Sequence, residues 1–115
     1  MTARRYGVDL TQGAEDDLEE IHRYRLQARD SDDADADALI GEFLTVIDSL
    51  EAVPERGAIP RELEGLGIKE FRQVLLRQFR LIYRIIDSRV VILVIADGRR
   101  AMQTLLERRL LARVR

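Results

Sequence analysis

Two apolar segments separated by three residues constrain the fold of this chain more than any other feature. In residues 79–86 (FRLIYRII) every second side chain is apolar or aromatic, and the positions between them hold arginine or isoleucine. Residues 90–96 (VVILVIA) are apolar at every position. A link as short as Asp87-Ser88-Arg89 joins antiparallel neighbours, so the pair predicts a β-hairpin. The unbroken apolar run indicates that its second strand lies inside a sheet that is covered on both faces.

The other periodicities predict a single domain over residues 1–115. One helix begins after the N-cap Thr11 and ends near Arg29, and a second begins in the polar turn at residues 30–33 and ends before Pro54. The fold class is therefore α+β: an antiparallel sheet of about four strands with an N-terminal helical hairpin packed on one face and a short C-terminal helix. Further elements are expected at residues 5–10 (strand), 61–66 (a helical turn), 68–75 (strand) and 100–111 (helix).

Composition excludes several kinds of site. The chain has no cysteine, which excludes disulfides and thiolate metal sites. The acidic string at residues 30–37 lacks the glycine and terminal glutamate of a calcium loop, so neither a metal nor a cofactor is expected. The longest apolar run, residues 90–96, is too short to span a bilayer, and the N-terminus lacks the apolar core of a signal peptide. A cytoplasmic location without membrane contact is the expectation.

The charges divide along the sequence. Residues 1–57 carry six basic and 15 acidic side chains, whereas residues 58–115 carry 13 basic and six acidic ones. Such asymmetry indicates either a basic face that recruits an anionic partner or acidic helices that pair with a basic sheet inside the monomer. Charge patterning alone leaves both interpretations open.

Arginines recur on and around the predicted sheet, where they carry a permanent charge. The set comprises Arg72, Arg77, Arg80, Arg84, Arg99 and Arg100. Arg99 and Arg100 lie at the predicted start of the last helix, where the helix dipole disfavours cations by about 0.3–1 kcal/mol each. Either a local acid such as Asp97 offsets this cost or an external anion binds there.

Seven short motifs in a fixed order carry a family resemblance over nearly the whole chain. They are YGVDLT from residue 6, PERG from 54, REL from 61, GIKEFR from 67, FRLIYR from 79, and DGRR from 97 followed by LLERRLL from 105. In order, spacing and placement the chain resembles the RelE/ParE superfamily, the toxins of bacterial toxin–antitoxin pairs. The resemblance implies one shared fold, two activities and a partner antitoxin that wraps and neutralises the toxin.

The RelE-like activity is ribosome-dependent cleavage of messenger RNA, and the sequence matches its pattern only in part. The resemblance implies that Arg80 and Arg100 would stabilise the cleaved phosphate, which suits a bidentate guanidinium. The expected lysine-rich strand is replaced by residues 71–74 (FRQV), and the expected tyrosine or histidine of the last helix falls near Leu106. Leu106 cannot move a proton, although RNA cleavage requires a general base and a general acid.

Three other residues could transfer protons, and each also has a structural interpretation. His22 lies beside the apolar stripe of the first helix and fits a surface or packing role. Asp97 precedes a glycine at a strand end and fits a turn or helix cap. Tyr83 alternates with apolar residues in a strand and fits the core.

The sequence therefore favours the ParE-like branch, which poisons DNA gyrase, with no catalytic residue assigned. The alternatives are a RelE-type endoribonuclease that uses Arg80 and Arg100, and a non-toxic binding module. The predicted target- or phosphate-binding residues are Arg72, Arg80, Arg84, Arg99 and Arg100, with Arg80 and Arg100 as surface groups. The expected partner is an antitoxin in a hetero-oligomer, one helix plus an extended stretch, whose carboxylates cover Arg80, Arg84 and Arg100. The expected target is gyrase or ribosome-bound mRNA.

Overall fold

The structure, a computed structural model, describes residues 6–28, 32–99 and 102–111. Its elements are β1 (Gly7–Leu10), α1 (Gln12–Leu26), α2 (Asp33–Ala52), a 3₁₀ turn (Pro54–Arg56), α3 (Arg61–Glu64), β2 (Phe71–Leu76), β3 (Phe79–Ile86), β4 (Arg89–Asp97) and α4 (Met102–Leu106), which continues as a π-helical segment (Glu107–Leu111). The predicted helical hairpin, helical turn and β-hairpin are all present, with bounds shifted by one to three residues.

The first long helix begins at the predicted cap Thr11, and the second begins at Asp32, within the polar turn predicted at residues 30–33. The hydroxyl of Thr11 accepts the N–H of Ala14 at 3.1 Å, and the carboxylate of Asp32 accepts the N–H of Asp35 at 2.9 Å. Each cap satisfies an N–H group that the helix itself leaves without a partner, which stabilises the helix by about 1 kcal/mol. Local sequence alone therefore fixes where the hairpin helices start.

Four strands form one sheet in the order β1-β4-β3-β2. The pairs β2–β3 and β3–β4 are antiparallel, and β1 lies parallel to β4 from Gly7↔Arg89 to Leu10↔Ile92. The parallel pair is possible because the whole helical hairpin separates β1 from the other strands. The predicted α+β class is confirmed, with one parallel pair at the β1 edge.

The helical hairpin covers one face of the sheet with the larger core. Phe43 and Leu50 of α2 are fully buried there with Leu81 of β3 and Ile92 of β4. The ring of Phe43 meets that of Phe79 edge to face, with centroids 5.3 Å apart. On this face the side chains of the helical hairpin and the sheet form the larger apolar core.

A smaller core covers the opposite face. Leu63 of α3 and Leu106 of α4 pack there against Ile82 and Val94 of the two central strands. Strand β4 is therefore buried on both sides, as its unbroken apolar sequence predicted. The arginines of β3 on this face therefore lie next to the side chains of the smaller core, and the sheet surface around them is covered.

No helix in the described ranges combines the length and the apolar character needed to cross a lipid bilayer.

Candidate functional site

The described arginines of the set singled out in the sequence lie at several places in the fold. They lie in β2 (Arg72), in the β2–β3 turn (Arg77), in β3 (Arg80 and Arg84) and in the turn after β4 (Arg99), while Arg100 lies outside the described residues. Arg72 is directed towards the connector after α2, where its Nη1 donates to the carbonyl oxygen of Gly57 at 2.8 Å. Arg72 therefore holds a loop in place.

Arg80 is enclosed in a network on the side of the smaller core. Its two terminal nitrogens donate to the two carboxylate oxygens of Glu62, each at 2.8 Å, and its Nε donates to the side-chain oxygen of Gln73 at 2.6 Å. Only 12% of the Arg80 side chain is exposed, against 26% for Glu62. The prediction that Arg80 is a surface group is wrong, because α3 and β2 supply acceptors for all its nitrogens.

The charge on Glu62 is strongly stabilised by this contact. The hydrogen bonds from Arg80 lower the pKa of Glu62 from the usual 4.5 to about 2, against the opposing effect of burial. Glu62 is therefore ionised at neutral pH and neutralises the guanidinium that faces it. An external phosphate would have to displace this carboxylate to reach Arg80.

Most of the remaining arginines are also paired within the chain. Arg77 contacts Glu42 of α2, with Nε at 3.0 Å from one carboxylate oxygen, and Arg99 pairs with Asp97 at 2.7 Å. Two more pairs, Arg89–Asp9 (2.5 Å) and Arg109–Asp17 (3.1 Å), join a basic residue of the second half to an acid of the first. Internal pairing thus neutralises part of the charge that divides the two halves of the sequence.

Arg84 is held much less firmly than Arg80. Its nearest carboxylate, Glu70, is 3.8 Å from Nη2, which is beyond hydrogen-bond distance. The guanidinium lies over the ring of Phe71, with Cζ 5.6 Å from the ring centroid. Its Nε is shielded from solvent and has no hydrogen-bond acceptor in the described part of the chain. Arg84 is therefore the loosely countered arginine of β3.

Two candidates for proton transfer have structural roles on the hairpin side. Nε2 of His22 lies 2.9 Å from the carboxylate of Asp37 and joins α1 to α2. The hydroxyl of Tyr83 donates to the carbonyl oxygen of Pro54 at 2.6 Å and accepts the N–H of Gly57 at 3.1 Å, while burial raises the pKa of Tyr83. The structural interpretations of His22 and Tyr83 therefore fit the geometry.

Asp97, the third candidate for proton transfer, and Leu106, at the expected catalytic position of the last helix, also have structural roles. The carboxylate of Asp97 accepts the N–H of Arg99 at 2.9 Å, which is the expected turn contact. Leu106 is fully buried in the smaller core. The titratable group in contact with Arg80 is Glu62, and with a pKa of about 2 it is a weak base at neutral pH.

A sequence model of the ParE toxin of the type II toxin–antitoxin system parDE matches residues 8–102. The chain belongs to the ParE toxin family. The match spans β2, β3 and β4, all of β1 but its first residue, and α3, which carries Glu62. No curated protein matches the sequence significantly.

Solved structures of toxins share the fold of this ParE-family chain. A chromosomal ParDE system from P. aeruginosa superimposes with a TM-score of 0.68 at 20% identity, covering 82% of this chain and 97% of that one. The toxin–antitoxin complex RelBE2 from Mycobacterium tuberculosis gives 0.55 at 25% identity, covering 84% and 94%. A free E. coli RelE in which alanine replaces two arginines gives 0.52 at 14% identity, covering 96% and 99%.

In this ParE-family toxin a groove of about 600 Å³ runs between the second half of α1, the start of β3 and the end of β4. Apolar side chains such as Ile21 and Phe79 line it together with charged ones such as Asp17 and Arg99. Tyr24 of α1 also lines the groove, although 78% of this large side chain is exposed. An open groove with an exposed aromatic residue is a suitable surface for a protein partner.

An ion pair between Asp17 and Arg109, which the sequence analysis did not predict, covers the edge of β4 where β1 has already ended. The carboxylate of Asp17 accepts the N–H of Ile95, and Nη2 of Arg109 donates to the carbonyl oxygen of Leu93, both at 2.9 Å. A Cβ on Gly13 would lie 2.5 Å from the same Nη2, so a residue without a side chain permits this approach. The pair fixes the C-terminal segment to α1 and blocks this edge of the sheet.

Proposed function

We propose that this toxin inhibits bacterial growth by binding a protein target, DNA gyrase, and that it does not cut RNA. The observation that carries the proposal is the state of Arg80. The arginine of β3 that a RelE-type nuclease would use to stabilise phosphate is already bound by Glu62 and Gln73.

The chemistry of RNA cleavage supports this choice. A base must take the proton of the 2′-hydroxyl and an acid must protonate the leaving oxygen. The group in contact with Arg80 is Glu62, whose pKa of about 2 leaves it a weak base and an unsuitable acid at neutral pH. Leu106, at the expected catalytic position of the last helix, is buried and cannot titrate. Binding to a protein target requires no such groups.

A cognate antitoxin is the second part of the proposal. The RelBE2 neighbour, at 25% identity, is a toxin–antitoxin complex, and the P. aeruginosa neighbour is a ParDE system. In this chain the groove beside α1 provides an apolar floor and the exposed ring of Tyr24. An amphipathic helix of the antitoxin fits such a groove, and an extended stretch would continue along the sheet.

A supercoiling assay tests the target. The full chain is added to purified gyrase with relaxed plasmid, and the matched control is the core variant Ile82→Asp, which we expect to unfold because it places a charge in the smaller core. We expect the folded toxin to inhibit supercoiling and to trap cleaved DNA, and the control to do neither. Unchanged supercoiling with the folded toxin would exclude gyrase.

Mapping transcript ends after induction separates this proposal from the nuclease. We expect messages to stay intact while growth stops. Codon-phased cuts would instead establish a RelE-type activity. Normal growth of cells that produce the chain without an antitoxin would favour a non-toxic binding module.

A further inference from the structure

Arg80 and Arg84 are four residues apart on one strand but differ in how their charge is satisfied. Arg80 has acceptors for all three nitrogens and is 12% exposed. Arg84 is 37% exposed, and its nearest carboxylate is 3.8 Å away. A guanidinium with a loose counter-ion can exchange that counter-ion without breaking a folded network.

The surroundings of Arg84 orient its guanidinium but do not supply acceptors for all of its N–H groups. The ring of Phe71, which is 5% exposed, lies under the cation and limits its rotation. The shielded Nε has no acceptor within the described ranges, and a buried donor left without an acceptor is destabilising. An oxyanion at the exposed end of the guanidinium would give Nη2 the acceptor that Glu70, at 3.8 Å, does not supply. The present pairing therefore leaves donor capacity on Arg84 for an incoming ligand.

The charge around Arg84 favours a carboxylate over a phosphate. Glu70 already places a carboxylate 3.8 Å from Nη2, and its own side chain is 58% exposed and can move aside. Carboxylate and phosphate both match the planar fork of arginine, so the neighbouring charge decides between them. Glu70 stays near the site after it moves, and it repels a phosphate dianion more strongly than a carboxylate that carries one charge.

We propose that Arg84, stacked on Phe71 and loosely countered by Glu70, is an exchangeable subsite for a carboxylate of an acidic peptide segment. The proposal rests on the proposed function in so far as the toxin binds a protein partner there. It separates the two arginines of β3: Arg84 binds the partner, and Arg80 holds α3 on the sheet.

The test follows the Nε–Hε signals of the arginines by ¹⁵N NMR in the full chain. The probes are a hexaglutamate peptide and, separately, inorganic phosphate. We expect hexaglutamate to shift the Arg84 signal saturably, and phosphate to do so only at higher concentration. Glu70→Gln removes the competing carboxylate and should tighten hexaglutamate binding about two- to fivefold. Arg84→Lys keeps a charge but loses the fork and should weaken binding about tenfold.

The matched control is Arg89→Gln, which removes an exposed arginine that pairs with Asp9 near the other edge of the sheet. It should leave the Arg84 titration unchanged. An Arg84 signal that does not move, a Glu70→Gln chain that binds no more tightly, or tighter binding of phosphate would each overturn the subsite. A chain that inhibits gyrase but shows no Arg84 response would refute this inference alone. A chain that binds hexaglutamate through Arg84 without affecting gyrase would refute only the proposed target.

Discussion

The two faces of the sheet are built differently. The face under the helical hairpin is filled by long helices, and its buried polar group, the Tyr83 hydroxyl, has both a donor and an acceptor. The opposite face is closed by the four-residue α3 and by α4, and it carries Arg80 and Arg84 at its margin. The comparison shows that one face holds the larger apolar core, while the other combines a smaller core with two arginines that differ in how firmly their charge is paired.

The largest expected effect contrasts the two cores directly. Phe43→Ala removes a fully buried ring from the hairpin face, and we expect the free energy of unfolding to fall by about 3–5 kcal/mol. Leu63→Ala on the other face should cost about 2–3 kcal/mol, because short α3 can settle into the space that is left. Urea denaturation measures both. A larger loss for Leu63→Ala would reverse the assignment of the main core.

A second effect separates Arg80 from a surface cation. Arg80→Met leaves the Glu62 carboxylate partly buried without its partner, and we expect a loss of about 1–3 kcal/mol. Adding Glu62→Met removes that isolated charge, so the double variant should recover most of the loss. Equilibrium unfolding of the two single variants and the double variant measures the coupling. Purely additive losses would show that the two groups do not interact.

The dependence of stability on acid pH tests the Arg80–Glu62 pair through the ionisation of Glu62. Because the folded pKa of Glu62, about 2, lies below its usual 4.5, the pair contributes stability above pH 4.5 and loses it as the pH falls towards 2. The difference in unfolding free energy between the natural chain and Glu62→Gln should therefore shrink over this range. A difference that stays constant would mean that Glu62 is not held ionised by Arg80.

The smallest effect is expected for a pair outside both cores. Arg89 and Asp9 form a close contact, but their side chains are 56% and 49% exposed. Solvent screens such pairs, so Arg89→Gln should change the melting temperature little. A shift as large as that of Arg80→Met would show that exposure does not separate the two classes of arginine.

Local sequence predicted the elements well, because each depends on neighbours in the chain. The caps Thr11 and Asp32 and the doubly buried β4 follow from residue type and period alone. The sequence also predicted a helix near the C-terminus, at residues 100–111. It did not reveal that this helix closes the second face of the sheet, since that depends on where the chain returns in space.

The candidate site was predicted less well, because pairing depends on tertiary distance. Glu62 and Arg80 are 18 residues apart, and no local spacing indicates that α3 brings them together. Asp17 and Arg109 are separated by 92 residues, and Gly13 early in α1 was the one local sign of a close approach. Arginine content therefore indicated where charge lies but could not show which guanidinium was already neutralised.

The most direct test of the account is the toxicity of the double variant Arg80→Met/Glu62→Met. Folding is checked by urea denaturation, and growth inhibition and gyrase supercoiling are then measured beside the natural chain. If Arg80 only holds α3 on the sheet, the folded double variant stays toxic and still inhibits gyrase. A folded variant that has lost toxicity would contradict the account and return Arg80 to the functional site.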